Sequence, residues 1–169
     1  LNMNKPLVSI FCVSYNHEQF IAQALDGFIM QQTNFDFEIV ISDDCSTDNT
    51  RAVIEKYKEN YPTLFRDVSP KKNLGMQRNW IHTLSACTGK YIALCEGDDY
   101  WTDSLKLQKQ VNYLIDNPSF TICAHRYLKF YEDTKKTEII QEELFKKNEI
   151  FFNLYNHLYE YSISTHTIV

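Results

Sequence analysis

Three predominantly apolar runs, LVSIFCV (7–13), FEIVIS (37–42) and YIALC (91–95), constrain this chain more than any other feature. A run that is apolar at nearly every position predicts a strand covered on both faces, because a half-exposed strand would alternate. Between and after the runs the apolar residues recur every three or four positions, as on one face of a helix. Phe20, Ile21, Ala24, Leu25, Phe28 and Ile29 predict the first helix. Ser46, Thr47 and Asp48 offer caps to a second, which carries Val53, Ile54, Tyr57 and Tyr61 and ends at Pro62. A third bears Met76, Trp80, Leu84 and Cys87, closed by Gly89. A fourth bears Leu107, Val111, Leu114 and Ile115 and stops before Pro118. A short strand near 65–68 and a longer one over 120–131 complete the pattern. The βαβαβαβ order implies an α/β fold, a mostly parallel sheet with helices on both faces. Ligands of such sheets sit outside the carboxyl ends of the strands, where the strand order reverses.

Residues 1–131 read as one such core, and 132–169 as a different region. The segment 132–149 is highly charged and reads as a solvated helix or excursion. Phe151, Leu154, Tyr155, Leu158 and Tyr159 then repeat at helical spacing, which predicts a core-covering helix, with a membrane-surface or partner contact as the minority reading. The net charge of −5 argues against a basic nucleic-acid surface. Cys12, Cys45, Cys87, Cys95 and Cys123 include no CxxC pair, so paired-thiolate zinc ligation is not expected. Scattered thiols inside apolar runs point to a reducing compartment, hence the cytoplasm, with the inner face of a membrane left open by the aromatic tail. No apolar run approaches the length of a membrane span.

The strand ends carry the chemistry. Ser14-Tyr15-Asn16-His17 follows the first run, and on its own would be a turn before a helix. Asp43-Asp44-Cys45-Ser46-Thr47-Asp48 follows the second. A helix start explains its last three residues but leaves Asp43 and Asp44 over. Glu96-Gly97-Asp98-Asp99-Tyr100-Trp101 follows the third, and three acids in four residues oppose one another's ionisation unless a cation joins them. In one parallel sheet these ends converge. Tyr15 offers a ring for a nucleobase, Asp44 an acceptor for a base imide, and Asp98 and Asp99 a hard-ion site for Mg2+ or Mn2+ on a diphosphate. Gly97 removes a side chain where the backbone must approach closely.

YN after the first run, DDCSTD after the second, NLGMQRN before the third helix and GKYIALCEGDDYW resemble family 2 glycosyltransferases of the Rossmann-like GT-A fold, in order over residues 6–118. The DDYW ending followed by LKLQKQVNYL is similar to bacterial members that build cell-surface polysaccharides. The resemblance implies an inverting, metal-dependent transferase of a nucleotide sugar, a UDP-sugar first, to a glycan or glycolipid acceptor. It implies that Val13 and Tyr15 hold the base, Asp44 binds the base imide, Asp98 lies near the donor ribose or sugar, and Asp99, with Asp98, ligates the metal. EGDD is then this chain's form of the DXD motif, and Arg78 either contacts the donor or is a surface arginine. Lys71 and Lys72 read as a solvated loop.

Two residues depart from the pattern. Cys45 stands where the family commonly has Gly, so a positive-φ turn is not assured there. Glu96 stands where Asp is common. The resemblance implies a general base in a later region, expected past Val169; His166, Glu142, Glu143 and Glu160 sit in no supporting motif. The rival readings are a GT-A module that binds nucleotide without transferring, a receiver-like domain using Asp67 and Lys129, and a nucleotidylyltransferase. The last needs a glycine-rich loop near the N-terminus, and residues 1–26 contain no glycine.

Overall fold

The computed structural model describes residues 5–125, 127–131 and 133–139. Its main sheet contains β1 (Val8–Ser14), β2 (Phe37–Asp43), β3 (Phe65–Asp67) and β4 (Tyr91–Leu94), all parallel, in the order β3-β2-β1-β4. The connecting helices are α1 (Ile21–Ile29), α2 (Thr50–Asn60) and α3 (Met76–Ala86), and α4 (Lys106–Asp116) follows β4. The sheet grows outward from β1 through β2 to β3, then returns to the other side of β1. A right-handed crossover that reverses its direction must place its helix on the opposite face.

The side chains follow that rule. Val8, Ile10, Cys12, Ile39, Ile41, Ala93 and Cys95 lie in one apolar cluster with Leu25 and Phe28 of α1, Ile54 of α2, and Leu107 and Val111 of α4. The alternate residues face α3: Phe11 meets Trp80 with ring centroids 5.0 Å apart, and Ser42 is hydrogen-bonded to Asn79. The α3 layer is partly polar, because Asn79 and Thr83 are its buried residues. Asn79 offers its amide to Ser42, and Thr83 returns its hydroxyl to the Asn79 carbonyl at 2.8 Å.

Register sets the level of the strand ends. Ser14 pairs with Asp43, so β1 and β2 finish together. The β1–β4 ladder continues past β4, with Cys95 donating to the Phe11 carbonyl at 3.1 Å and Gly97 to the Val13 carbonyl at 2.9 Å. The residues after β2, β1 and β4 therefore leave the sheet side by side, and the strand order reverses beside β1.

Several local expectations are corrected. α2 begins at Thr50, because Ser46, Thr47 and Asp48 are drawn into the loop after β1. Met76 is 79% exposed, and α3 turns its polar Asn79 and Thr83 inward instead. Gly89 does not cap α3; Cys87 does, in extended geometry. Gly89 is required for close approach: a Cβ there would lie 2.5 Å from the Ser9 nitrogen. Ile115 is exposed. Among the described residues of 120–131 only Leu128–Tyr131 is a strand (β5), antiparallel to β6 (Lys136–Ile139) in a separate hairpin. β6 occupies part of the segment read as a solvated helix or excursion. The aromatic tail, His166, Glu142, Glu143 and Glu160 lie outside the described residues. Among the described residues no helix is long and apolar enough to cross a membrane.

Candidate active site

The loops after β1 and β2 are stitched together by their own polar groups. Asn16 takes a left-handed conformation (φ 57°), which asparagine tolerates well. Its main-chain N–H donates to the Ser46 hydroxyl at 2.8 Å, and its side-chain oxygen accepts from the Thr47 N–H at 2.8 Å. The His17 N–H donates to the Thr50 hydroxyl at 2.8 Å, and the Glu18 N–H to Asp48 at 3.1 Å. This accounts for the polar run 46–48 better than helix capping alone. Tyr15 is left on the outer side of this junction, 46% exposed, directly above the end of β1. Val13, one residue before the strand end, is half-buried.

Asp43 and Asp44 are both buried and do different work. Asp43 accepts from the Ser46 N–H at 3.2 Å and from the Ser46 and Ser14 hydroxyls, so it braces the two loops. Asp44 reaches the other way. Its two carboxylate oxygens accept the N–H groups of Leu74 (2.7 Å) and Gly75 (2.9 Å), and its carbonyl accepts the Asn73 amide at 2.8 Å. It thereby fixes the start of α3, where Gly75 has φ 79°. Each carboxylate oxygen keeps a second lone pair. Arg78 stands exposed in the first turn of that helix and makes no ion pair with another described residue. Cys45 adopts φ 60°, so the positive-φ turn exists here without glycine, and its thiol reaches the Pro70 carbonyl at 3.3 Å.

Beside Asp43 opens a cleft of about 290 Å3 lined by Cys45, Ser46, Arg51, Ser69 and Pro70. Arg51 enters it from α2, held by Asp67 at 2.7 Å and by the Ser69 hydroxyl at 2.7 Å. Burial works against the Asp67 charge, but hydrogen bonds from Arg51 and Lys58 outweigh it and hold the carboxyl well below the usual range. Asp67 is thus committed to a structural ion network. Arg51, Ser69 and His17 were not singled out from the sequence. The one sequence sign of Arg51 is a basic residue in the first turn of a helix, where the macrodipole disfavours it.

After β4, Gly97 is buried against β1: a Cβ would lie 2.8 Å from Ser14 Cβ and 3.0 Å from His17 Nδ1. The close approach that needs glycine is therefore to the neighbouring strand end. Asp98 follows with a side chain 49% exposed, 3.8 Å from His17 Nε2. Asp99 is half-buried. The His17 Nδ1 atom is buried with no partner among the described residues. The negative field of this loop reaches the core: burial first, and then Asp98, Glu96 and Asp99, push the Cys12 thiol far up. Of the sequence-derived set, Tyr15, Asp98 and Asp99 share one open edge beside β1. Asp44 and Arg78 lie on the neighbouring side, across the end of β2.

The comparisons agree with this fold. The family model described as Glycosyl transferase family 2 matches residues 9–167. An uncharacterised protein of Mycobacterium tuberculosis is 50% identical over 129 residues, 76% of this chain and 37% of its own. The abequosyltransferase RfbV of Salmonella typhimurium is 33% identical over 121 residues, 69% of this chain and 35% of its own. The chain thus spans little more than a third of these relatives. Among solved structures, S. aureus TarS in complex with UDP aligns with a TM-score of 0.57 at 25% identity, over 66% of this chain and 32% of TarS. A mannosyltransferase of Pyrobaculum calidifontis, solved with GDP-Man and Mn2+, aligns with a TM-score of 0.61 at 23% identity, over 71% of this chain and 35% of its own, and speaks for the fold alone. The parallel sheet, its helices on both faces and the family match establish the GT-A architecture, and the chain belongs to glycosyl transferase family 2.

Proposed function

We propose that this chain carries the donor-binding part of an inverting glycosyltransferase that takes a metal-bound nucleotide-diphosphate sugar, a UDP-sugar first, toward a polysaccharide or glycolipid acceptor. One observation carries the reading. The ends of β2, β1 and β4 leave the sheet side by side at the point where strand order reverses, and they bring Asp44, Tyr15 and Asp98–Asp99 with them. The UDP bound by TarS, a neighbour at 25% identity, supports the choice of nucleotide.

In this reading Tyr15 stacks on the base, with Val13 beneath it. The remaining lone pairs of Asp44 accept the imide N–H, and Arg78, at the start of the helix that Asp44 fixes, faces the phosphates. Asp98 and Asp99 would hold Mn2+ or Mg2+. The fit rests on the donor set: two adjacent carboxylates at an open edge, with no cluster of three metal-ligating side chains among the described residues. Such a set suits a hard ion whose shell is completed by phosphate oxygens and water. When bound, that ion supplies Lewis acidity to the leaving diphosphate. The chain's own residues orient the nucleotide and keep the diphosphate at the β4 edge. In this reading none of these four acids is the base for the acceptor hydroxyl: Asp43 braces the loops, Asp44 holds the start of α3 and the base imide, and Asp98 and Asp99 serve the metal. The group that deprotonates the acceptor is assigned to other residues of the full enzyme.

Calorimetry with UDP in Mn2+ and in EDTA tests the reading. Binding should require Mn2+, and Asp99→Ala should weaken it by about 100-fold or more, as loss of a charge-bearing ligand does. Equal affinity in EDTA, or an unaffected Asp99→Ala, sinks the assignment.

A further inference from the structure

Lys106, the first residue of α4, is only 6% exposed, and its surroundings are unusual for a lysine. Its ammonium nitrogen lies 4.1 Å from the centre of the Trp101 ring and donates to the Gln110 amide oxygen at 2.7 Å. No carboxylate pairs with it among the described residues, and the Asp103 side chain pairs with Lys109 at 2.7 Å. A buried amine without a counter-charge is costly, and a leucine would fill the same space more cheaply. The ring is therefore the main partner of the charge, as in a desolvated cation–π contact.

Trp101 is the far anchor of the acidic loop. It is buried, packs edge-on to Phe28 at 4.9 Å, and its backbone lies against Gly27, where a Cβ would meet it at 3.0 Å. At the near end Gly97 is bonded to β1. Asp98 and Asp99 span the gap between these two fixed points.

We propose that Lys106 is a positioning residue for the donor site: seated on Trp101, its ammonium holds the loop bearing Asp98 and Asp99 in the shape that receives a metal–diphosphate. This rests on the donor-site reading above. The clamp depends on charge, since a neutral amine has no attraction for the ring face beyond dispersion. Burial brings the Lys106 amine down to about 7, while Cys95 and Cys123 pull weakly the other way. Cys95, just past the end of β4, and Cys123, beyond α4, are the titratable groups facing it, and burial pushes both thiols up. The direct partners of that amine, Trp101 and Gln110, do not titrate. The clamp therefore loosens as pH rises through neutrality.

The chain contains two tryptophans, and Trp80 lies on the opposite face of the sheet, so Trp80→Phe leaves Trp101 as the single indole reporter. In that background, Trp101 emission of the metal-free protein should titrate with a midpoint near 7. The titration should vanish in Lys106→Met and in Lys106→Arg, whose charge is fixed. By calorimetry at pH 6.5, Mn2+-dependent UDP affinity should fall about tenfold in Lys106→Met and stay within about twofold in Lys106→Arg. From pH 6.5 to 8.5 wild type should lose affinity relative to Lys106→Arg. Emission that titrates unchanged in Lys106→Met, or equal UDP affinities in wild type and Lys106→Met, overturns the clamp. If Lys106→Met is unfolded by circular dichroism, the wild-type against Lys106→Arg comparison decides: parallel pH profiles overturn the clamp and divergent ones support it. If wild type binds no Mn2+–UDP, the donor-site reading falls, and the emission titration alone judges whether Lys106 holds the loop.

Discussion

At the scale of single residues, the site depends on two backbone accommodations. Gly97 lets the chain leave β4 in contact with β1. Gly97→Ala should push the strand ends apart, because its Cβ would meet Ser14 Cβ at 2.8 Å. Urea unfolding should show a loss of about 1–3 kcal/mol, the usual cost of overpacking, together with weaker Mn2+-dependent UDP binding. An alanine variant of full stability would show that the strand ends are not closely fitted. Cys45 is the opposite case, an L-residue held at φ 60°. Cys45→Gly should stabilise the protein by about 0.5–1 kcal/mol, the left-handed penalty less the lost thiol contact with Pro70. A lower urea midpoint in the glycine variant would contradict this. The acids were legible as a pair, but their division of labour was not. Asp43 and Asp44 are adjacent in sequence, and only the fold turns one to Ser46 and the other to Leu74 and Gly75. His17 and Arg51 escaped notice for the same reason: their partners, Asp98 and Asp67, are distant in sequence.

At the scale of elements, two of the polar links that tie α2 to the rest of the fold have opposite pH signatures. Asp67, at the end of β3, is held below the usual carboxylate range by Arg51 and Lys58 against the effect of its burial. A depressed carboxylate stabilises above its unfolded pKa of about 4 and loses that contribution as pH falls below it. Asp67→Asn should therefore cost about 1–3 kcal/mol at pH 7, discounted because Arg51 and Lys58 remain partly solvated. The gap from wild type should close as pH is lowered toward 2, as measured by urea unfolding. Tyr57, bonded to Asp26 of α1 at 2.7 Å, is pushed up to about 12, by burial first and then by that bond. Its phenol favours the fold below the unfolded pKa of about 10, and that contribution disappears as pH rises from there to 12. Tyr57→Phe should cost about 1 kcal/mol at pH 8, and the difference should vanish across that window. The strands were readable because full burial leaves a nearly unbroken apolar run. The inner face of α3 was not, because it packs through Asn79 and Thr83, which carry no hydrophobic period. Nor was the β5–β6 hairpin, whose described side chains are exposed and show no core pattern.

At the scale of the molecule, the proposed donor site follows from strand order. Periodicity predicted a parallel sheet but could not order it, since each run is equally apolar. The order β3-β2-β1-β4 puts β1 between the two acidic strand ends and places the reversal beside Tyr15. The convergence expected from the sequence is therefore a consequence of topology, and the ion network around Asp67 falls at the far edge, on β3. The most direct test is to locate the metal. In 15N-labelled protein with UDP, substoichiometric Mn2+ should broaden first the amide signals of residues 97–100 and then those of 14–16, with Asp99→Ala abolishing the effect. Broadening centred on Glu55 and Asp67, or on the β5–β6 hairpin, or broadening indifferent to UDP, would contradict the account.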